Sequence, residues 1–226
     1  MKKSLATLTK HNDVSIITLD DGKANVFSYD MLSALNECLN EVPKDSGSLV
    51  IAGREGIFSG GFDLKTLGSG DVDAIIKMVS LGYKTLLELY SFPRPIVAAV
   101  SGHSVALGIF VTCCADYRIA INGQYICQAN EVRNNMDIPI QIMEIVKARV
   151  NKRFFYKAVL HGDPLSMQES IEAGYLDELA SSKDFMNRVI EKAIRSKVDI
   201  INDLSKFILI EISPINCMKS RFDLRN

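Results

Sequence analysis

With 226 residues, 47% of them hydrophobic and 23% charged, the chain has the composition of an ordinary globular protein and the length to bury one sizeable core. A formal net charge of −1, with basic residues scattered along the chain, gives no electrostatic reason to expect nucleic acid or an anionic membrane as a partner. Five cysteines, odd in number and without paired C-x-x-C motifs, speak against a disulfide framework and against zinc, and favour a reduced, cytoplasmic setting. The residues after Met1 contain neither the apolar run of a signal peptide nor one long enough to span a membrane.

Strands are expected at 5–9 and 14–19, then a turn at Asp20, Asp21 and Gly22, because Asp-Gly beside β-rich runs is a strong turn signal. Ser28 reads as an N-cap, and Met31, Leu32, Leu35, Cys38 and Leu39 recur at helical spacing up to Pro43. A strand at 49–52, a helix over 72–90, a strand at 96–100, a helix over 106–115 and a strand at 117–120 follow. This repeated strand–helix order predicts an α/β fold. After Pro139 the pattern is helical over 140–150, 153–160, 166–173 and from Asp184 onward, broken at 174–177 by a loop and short strand. Cys113 and Cys114 lie in an apolar helix and read as small buried hydrophobes. There is no internal sequence repeat and no low-complexity linker.

Two segments carry the chemistry. In the first, the strand at 49–52 leads through Gly53, Gly56, Gly60 and Gly61, which let the backbone turn sharply and approach a ligand, so that Phe62 can offer its amide N–H. In the second, the strand at 96–100 breaks at Ser101 and Gly102 and feeds a helix beginning near Ala106, whose first N–H groups have no partner within the helix. Either segment alone is simply a glycine-rich turn or a strand–helix joint. Together they can form an oxyanion hole, in which two amides converge on one carbonyl oxygen and stabilise an enolate. Removing one such donor costs on the order of 3 kcal/mol.

The residues of these segments are F-S-G-G-F-D-L-K at 58–65, P-R-P from 93 through Gly102, and A-D-Y-R-I-A at 115–120. With K-A-N at 23–25 and A-G-Y-L-D at 173–177, they resemble the crotonase family, also called the enoyl-CoA hydratase/isomerase superfamily, over roughly residues 10–180. The resemblance implies a ββα spiral occupying 1–180, followed by a helical C-terminal segment, 181–226, that serves trimerisation or acts as a lid. It implies an acyl-CoA thioester substrate, with coenzyme A as part of the substrate and no tightly bound cofactor, and a homotrimer or a dimer of trimers. It also assigns the oxyanion amides to Phe62 and Leu107. The coenzyme A contacts fall on Lys23, Ala24, Asn25, Phe62, Asp63, Leu64 and Lys65.

Several departures from the family pattern bear on the chemistry. Leu107 stands where the family has glycine, and its side chain is expected to narrow the space for the thioester. The family's first catalytic glutamate falls on Phe110 and the second on Glu131. Hydration adds H and OH separately and uses two carboxylates, whereas isomerisation can be run by one base that takes a proton and returns it elsewhere. Glu131 is therefore the candidate acid/base, and burial against Phe110 should raise its pKa. Read from residues alone, a glutamate just after a strand is ordinarily a solvated charge.

His103 could shuttle protons or simply pack at the strand–helix joint. His11 and His161 form no metal-ligand pattern. Asp63 and Asp116 read as loop-fixing residues. Lys23 and Lys65 could meet phosphates or remain solvated. Past Pro139 the glycines usual in the family are absent, implying bulkier side chains around the acyl pocket. The apolar residues within 208–214 and 216–224 fit packing against a partner chain. The readings are a Δ3-Δ2-enoyl-CoA isomerase-like enzyme of fatty-acid or related metabolism, an enoyl-CoA hydratase (a lyase), and a non-catalytic acyl-CoA binder.

Overall fold

The computed structural model describes residues 4–202, with side chains described as far as Ser196. β1 (Ala6–His11) and β2 (Val14–Leu19) form an antiparallel hairpin in which His11 is paired with Val14. The hairpin turn is therefore Asn12-Asp13, and Asn12 takes φ 53°, a conformation that asparagine tolerates better than most residues. The turn expected at Asp20 to Gly22 follows β2. There the Asp21 carboxylate collects the N–H groups of Lys23, Asn25 and Val26 and coils the chain toward α1 (Tyr29–Glu41). Ser28 caps that helix by accepting from the Met31 N–H, and the five apolar residues read from the sequence are all buried on its inner face.

Strand–strand–helix units then follow. β3 (Ser48–Ala52) and β4 (Gly56–Ser59) lead into the short α2 (Leu64–Leu67) and long α3 (Val72–Tyr90). β5 (Ile96–Val100) and β6 (Gly102–Val105) lead into α4 (Leu107–Cys114). β7 (Tyr117–Ile121) and β8 (Ile126–Gln128) lead to α5 (Ile140–Lys147) and α6 (Lys152–Phe155), which widens into a π-turn at Tyr156–Leu160. β9 (Leu165–Ser166), α7 (Met167–Ala173), β10 (Glu178–Ala180) and α8 (Phe185–Asn202) complete the described chain.

The first strand of each unit joins a six-stranded sheet of order β1-β2-β3-β5-β7-β10, and the second joins a four-stranded sheet of order β4-β6-β8-β9. Pairing is parallel from β2 through β10 in the larger sheet and from β4 through β8 in the smaller, so the chain advances as the expected ββα spiral.

Both faces of the larger sheet are covered, which is why β3 and β5 are buried at every position and read as continuous apolar runs. One face meets α1, α3 and α4 in the main core, through Leu35, Leu86, Phe110 and their neighbours. On the other, Val50, Val97 and Ile119 meet Phe185, Val189 and Ala193 of α8. The segment after residue 180 thus begins by packing on its own sheet. The remainder of the expected C-terminal segment, including 208–214 and 216–224, lies outside the described residues. Among the described residues, no helix is long and apolar enough to cross a membrane.

A partly buried ion pair ties the last turn of the spiral to β7, alongside the β7–β10 pairing. The Arg118 guanidinium, its side chain 6% exposed, binds both Asp177 carboxylate oxygens at 2.7 Å and the Gly174 carbonyl at 2.7 Å, while Asp177 also accepts from the Arg118 backbone N–H. This forked geometry suits arginine and ties β7 to the turn before β10. Asp177→Ala would strand a buried cation, and chemical denaturation is expected to show a loss of about 3 kcal/mol. A loss indistinguishable from that of an exposed ion pair would contradict this.

Candidate functional site

The 58–62 and 105–108 segments meet backbone to backbone. Gly61 has φ 88°, and a Cβ there would lie 2.5 Å from the Ala106 Cβ and 3.2 Å from the Leu107 nitrogen. A Cβ on Gly108 would likewise lie 2.7 Å from the Ser59 carbonyl oxygen. The backbone stretches that carry the Phe62 and Leu107 amides are thereby in contact. Leu107 is the first residue of α4, so its N–H has no acceptor within the helix, and Ala106 supplies no side-chain cap.

Hydrogen bonds hold each segment from behind. The Gly60 N–H donates to the Ala24 carbonyl (2.8 Å), the Phe27 N–H to Gly61 (2.7 Å), and the Ser59 hydroxyl to Asn25 (2.7 Å). Across the site, the Ala106 N–H donates to Gln128 (2.8 Å), and the Ser104 and Thr112 hydroxyls pair at 3.0 Å, tying β6 to α4. Ala106 itself adopts φ 51° and ψ −126°, a region that a Cβ disfavours. That conformation sets the plane of the 106–107 peptide and therefore the direction of the Leu107 N–H.

Leu107 does not narrow the site as expected. Its side chain is 1% exposed and packs into the core, with Cδ2 3.3 Å from the position a Cβ on Gly82 would take. The Phe62 ring lies 2.6 Å from that same position, so a glycine in the middle of α3 gives both side chains room. The next residue, Tyr83, stands edge-on to Phe62 with ring centroids 6.3 Å apart. Gly82 and Tyr83 were not among the candidates from the sequence. The one available signal was a glycine inside an otherwise regular helical pattern.

Glu131 is the only buried carboxylate among the described residues. It opens a single tight turn, Val132–Asn134, that ends on Asn135 at φ 54° and folds back so that the Asn134 and Met136 N–H groups donate to the Glu131 carbonyl. Arg133 anchors this turn by pairing with Asp163 and donating to the His161 carbonyl. The Glu131 side chain is therefore not a solvated charge. Its Oε2 is buried without a hydrogen-bond partner among the described residues, and burial pushes its pKa up to about 7, opposed in part by a hydrogen bond from its own backbone. The carboxylate lies near enough to Tyr83 and Tyr175 to push both phenols upward, after the larger effect of their own burial. The Tyr175 hydroxyl is likewise buried without a partner among the described residues. Phe110, at the family's other glutamate position, is 1% exposed and belongs to the main core.

The remaining candidates separate into surface groups and internal braces. Lys23, Ala24 and Lys65 are exposed, and Leu64 is 72% exposed. Asn25, expected among the coenzyme A contacts, is fully buried. Its amide donates to the Leu19 and Phe58 carbonyls and its Oδ1 accepts from Asp21, so this side chain braces the loop beneath Ala24. Asp63 caps α2 by accepting from Lys65 and Thr66. Asp116 fixes the start of β5 by accepting from the Ile96 N–H at 2.8 Å. His103 accepts from the Ile126 N–H and packs edge-on against Tyr125, so it serves the β6–β8 joint. Among the described residues, no three His, Cys, Asp or Glu side chains cluster as a metal site would require.

Ala106→Gly is expected to relieve backbone strain and raise stability by about 1 kcal/mol, or a few degrees in Tm by calorimetry. An unchanged or lower Tm would show that this conformation carries no strain.

Comparison with known proteins agrees with this architecture. A family model described as enoyl-CoA hydratase/isomerase matches residues 9–207. The chain is 26% identical over 185 residues to a peroxisomal enoyl-CoA delta isomerase 2 of Arabidopsis thaliana, an alignment covering 78% of this chain and 77% of that one. It is similar to the crystal structure of an enoyl-CoA hydratase of Mycobacterium ulcerans, at 35% identity and a TM-score of 0.82 over 89% of this chain and 91% of the other. A mycobacterial enoyl-CoA isomerase structure (Mtb) is matched at 32% identity and a TM-score of 0.82, covering 90% and 91% of the two chains. With a family model spanning most of its length and solved relatives above 30% identity, the chain belongs to the enoyl-CoA hydratase/isomerase family.

Proposed function

We propose that the protein is a Δ3-Δ2-enoyl-CoA isomerase in which Glu131 is the sole acid/base and the amides of Phe62 and Leu107 form the oxyanion hole. The observation that carries this reading is a carboxylate that is the only buried one among the described residues, with a pKa raised to about 7, near Tyr83, which itself packs against Phe62, and with Phe110 at the position of a second glutamate. A group with that pKa is present in both protonation states near neutral pH, as a base that must later act as an acid requires.

In the proposed reaction, ionised Glu131 takes a proton from C2 of a 3-enoyl thioester. The electron pair delocalises toward the thioester oxygen, where the two N–H donors offset the growing charge. The C3–C4 double bond moves to C2–C3 as the proton returns from Glu131 to C4, leaving the carboxylate ionised for another turnover. Hydration would need a second group to handle water, and Phe110 cannot supply it. The exposed Lys23 and Lys65 ammonium groups, the Ala24 and 62–65 backbone and Leu64 would bind the coenzyme A portion. Asn25 and Asp63 would hold those loops in place. A trimer or dimer of trimers belongs to the same reading.

The deciding assay follows purified protein with matched 3-enoyl-CoA and 2-enoyl-CoA substrates. Isomerisation should fall by at least about 100-fold in Glu131→Gln, and kcat/KM should rise with pH through about 7 before levelling. Hydration of the 2-enoyl substrate at an ordinary enzymatic rate would overturn the one-carboxylate mechanism. Saturable acyl-CoA binding without turnover of either substrate would identify a non-catalytic binder.

Stability gives an independent check. Burial raises the folded-state pKa of Glu131 above its ordinary 4.5, so between about pH 4.5 and 7 the folded protein keeps a proton that the unfolded chain has released. The contribution of this group to stability therefore declines as pH rises across that window, by up to roughly 3 kcal/mol. Glu131→Gln should be close to wild type in denaturation at about pH 5 and more stable than wild type at about pH 8.5. Equal stability differences at both pH values would contradict the burial of an ionising carboxylate.

A further inference from the structure

The buried stripe of α3 has a gap. Met78, Gly82 and Leu86 follow one another at helical spacing and face the core, and the two outer residues are large and almost fully buried. Glycine holds the middle position, where periodicity alone would place another large apolar side chain. The backbone there is ordinary helix without positive φ, so its conformation does not require glycine. Two other segments fill the space. A Cβ on Gly82 would lie 2.6 Å from both Cε1 and Cζ of Phe62 and 3.3 Å from Cδ2 of Leu107. These are the two residues whose main-chain N–H groups are proposed to form the oxyanion hole. The Asn36 amide donates to the Thr85 hydroxyl at 2.7 Å and ties this part of α3 to α1, so the position of Gly82 is itself held.

We infer that Gly82 is a positioning residue for the oxyanion hole, and that the space left by its lack of a side chain is a socket that sets the direction of the Phe62 and Leu107 amides. This inference rests on the isomerase reading proposed above. Each amide belongs to a peptide whose carbonyl is already held, that of Gly61 by the Phe27 N–H at 2.7 Å and that of Ala106 by the Ile109 N–H at 3.0 Å. Those bonds fix one end of each peptide, and the seated side chain fixes the Cα at the other. A methyl group at position 82 would fall about 1 Å inside ordinary carbon–carbon contact with the Phe62 ring. That ring is 8% exposed and packed edge-on against Tyr83, so it has little room to yield without its main chain. The charge that the two N–H groups meet grows only in the transition state, so a change in their direction costs turnover and spares substrate binding.

The test compares wild type, Gly82→Ala, Phe62→Leu and the double variant in turnover of a 3-enoyl-CoA substrate. Gly82→Ala should lower kcat about 100-fold, the loss expected of a misplacement of about 1 Å, with KM within about twofold of wild type. Phe62→Leu keeps the main-chain N–H and removes the ring atoms that would meet the methyl group. In that background the same Gly82→Ala change should cost no more than about threefold in kcat. Alanine is the better helix former, so the double variant should melt no lower than Phe62→Leu, and it carries the test even where Gly82→Ala alone does not fold. A wild-type kcat in Gly82→Ala, a raised KM with kcat retained, or a double variant that does not fold or loses kcat as heavily as the single would overturn the inference and leave the isomerase reading intact. Wild-type protein that turns over neither 3-enoyl-CoA nor 2-enoyl-CoA would overturn both.

Discussion

Contact between two stretches of main chain, at Gly61 and Ala106, organises this protein. Two amide N–H groups can serve one oxygen only if their backbones come within van der Waals reach, and a single Cβ at position 61 would occupy the intervening space. The spiral makes the contact possible by running β4 and β6 in parallel, so that the chain leaves both strands on the same side. The surrounding hydrogen bonds prevent the two segments from separating. Asn25 and its neighbours hold the first, while Gln128 and the Ser104–Thr112 pair hold the second. The arrangement stores strain at Ala106 as well as relying on glycine at 61. Pre-organised dipoles are useful in catalysis because they need no reorientation when charge develops.

Glu131 illustrates the opposite choice, a group kept at a cost to stability. A carboxylate oxygen without a partner inside a protein disfavours its own ionisation, and apolar substitution would ordinarily be preferred there. The side chain is nonetheless held by a turn with its own hydrogen bonds and an external ion pair through Arg133. The supporting turn thus spends its polar contacts on the backbone and leaves the carboxylate Oε2 without a partner among the described residues. An ion pair to the carboxylate would lower its pKa and make it a poor proton donor. Solvent exposure would give it the ordinary value, with the same result.

Much of the fold was legible because its governing residues are local punctuation. α3 and β5 lie where periodicity and the flanking prolines put them, and Ser28 caps α1 as read. The strands β4 and β6 were not anticipated. At four residues each and rich in glycine and serine, they lack the alternation of a longer strand, and their pairing depends on partners distant in sequence. The turn read at Asp20 to Gly22 lies where expected, organised by the Asp21 carboxylate, whereas the hairpin turn at Asn12-Asp13 was not singled out because Asn-Asp is a weaker local signal than Asp-Gly. At the site, the residue types at 61, 62 and 131 were readable from motif spacing. The burial of Glu131 was expected only through its candidate role, and the direction of the Leu107 side chain was not expected, since it depends on the space α3 leaves at Gly82.

Gly82 makes that dependence concrete. In the interior of a nineteen-residue helix, glycine costs about 1 kcal/mol relative to alanine, and nothing about its turn of α3 requires a special backbone angle. Its value lies in the volume it vacates. Phe62 and Leu107, whose main chains form the candidate site, both place side chains into that space. Leucine at the start of α4 can therefore coexist with an open site, because its bulk is directed into the core instead of toward a thioester. Tyr83, the next residue, packs edge-on against Phe62. A change in side-chain size at position 107 thus has to be judged together with position 82, and neither residue can be interpreted from the sequence pattern of its own helix.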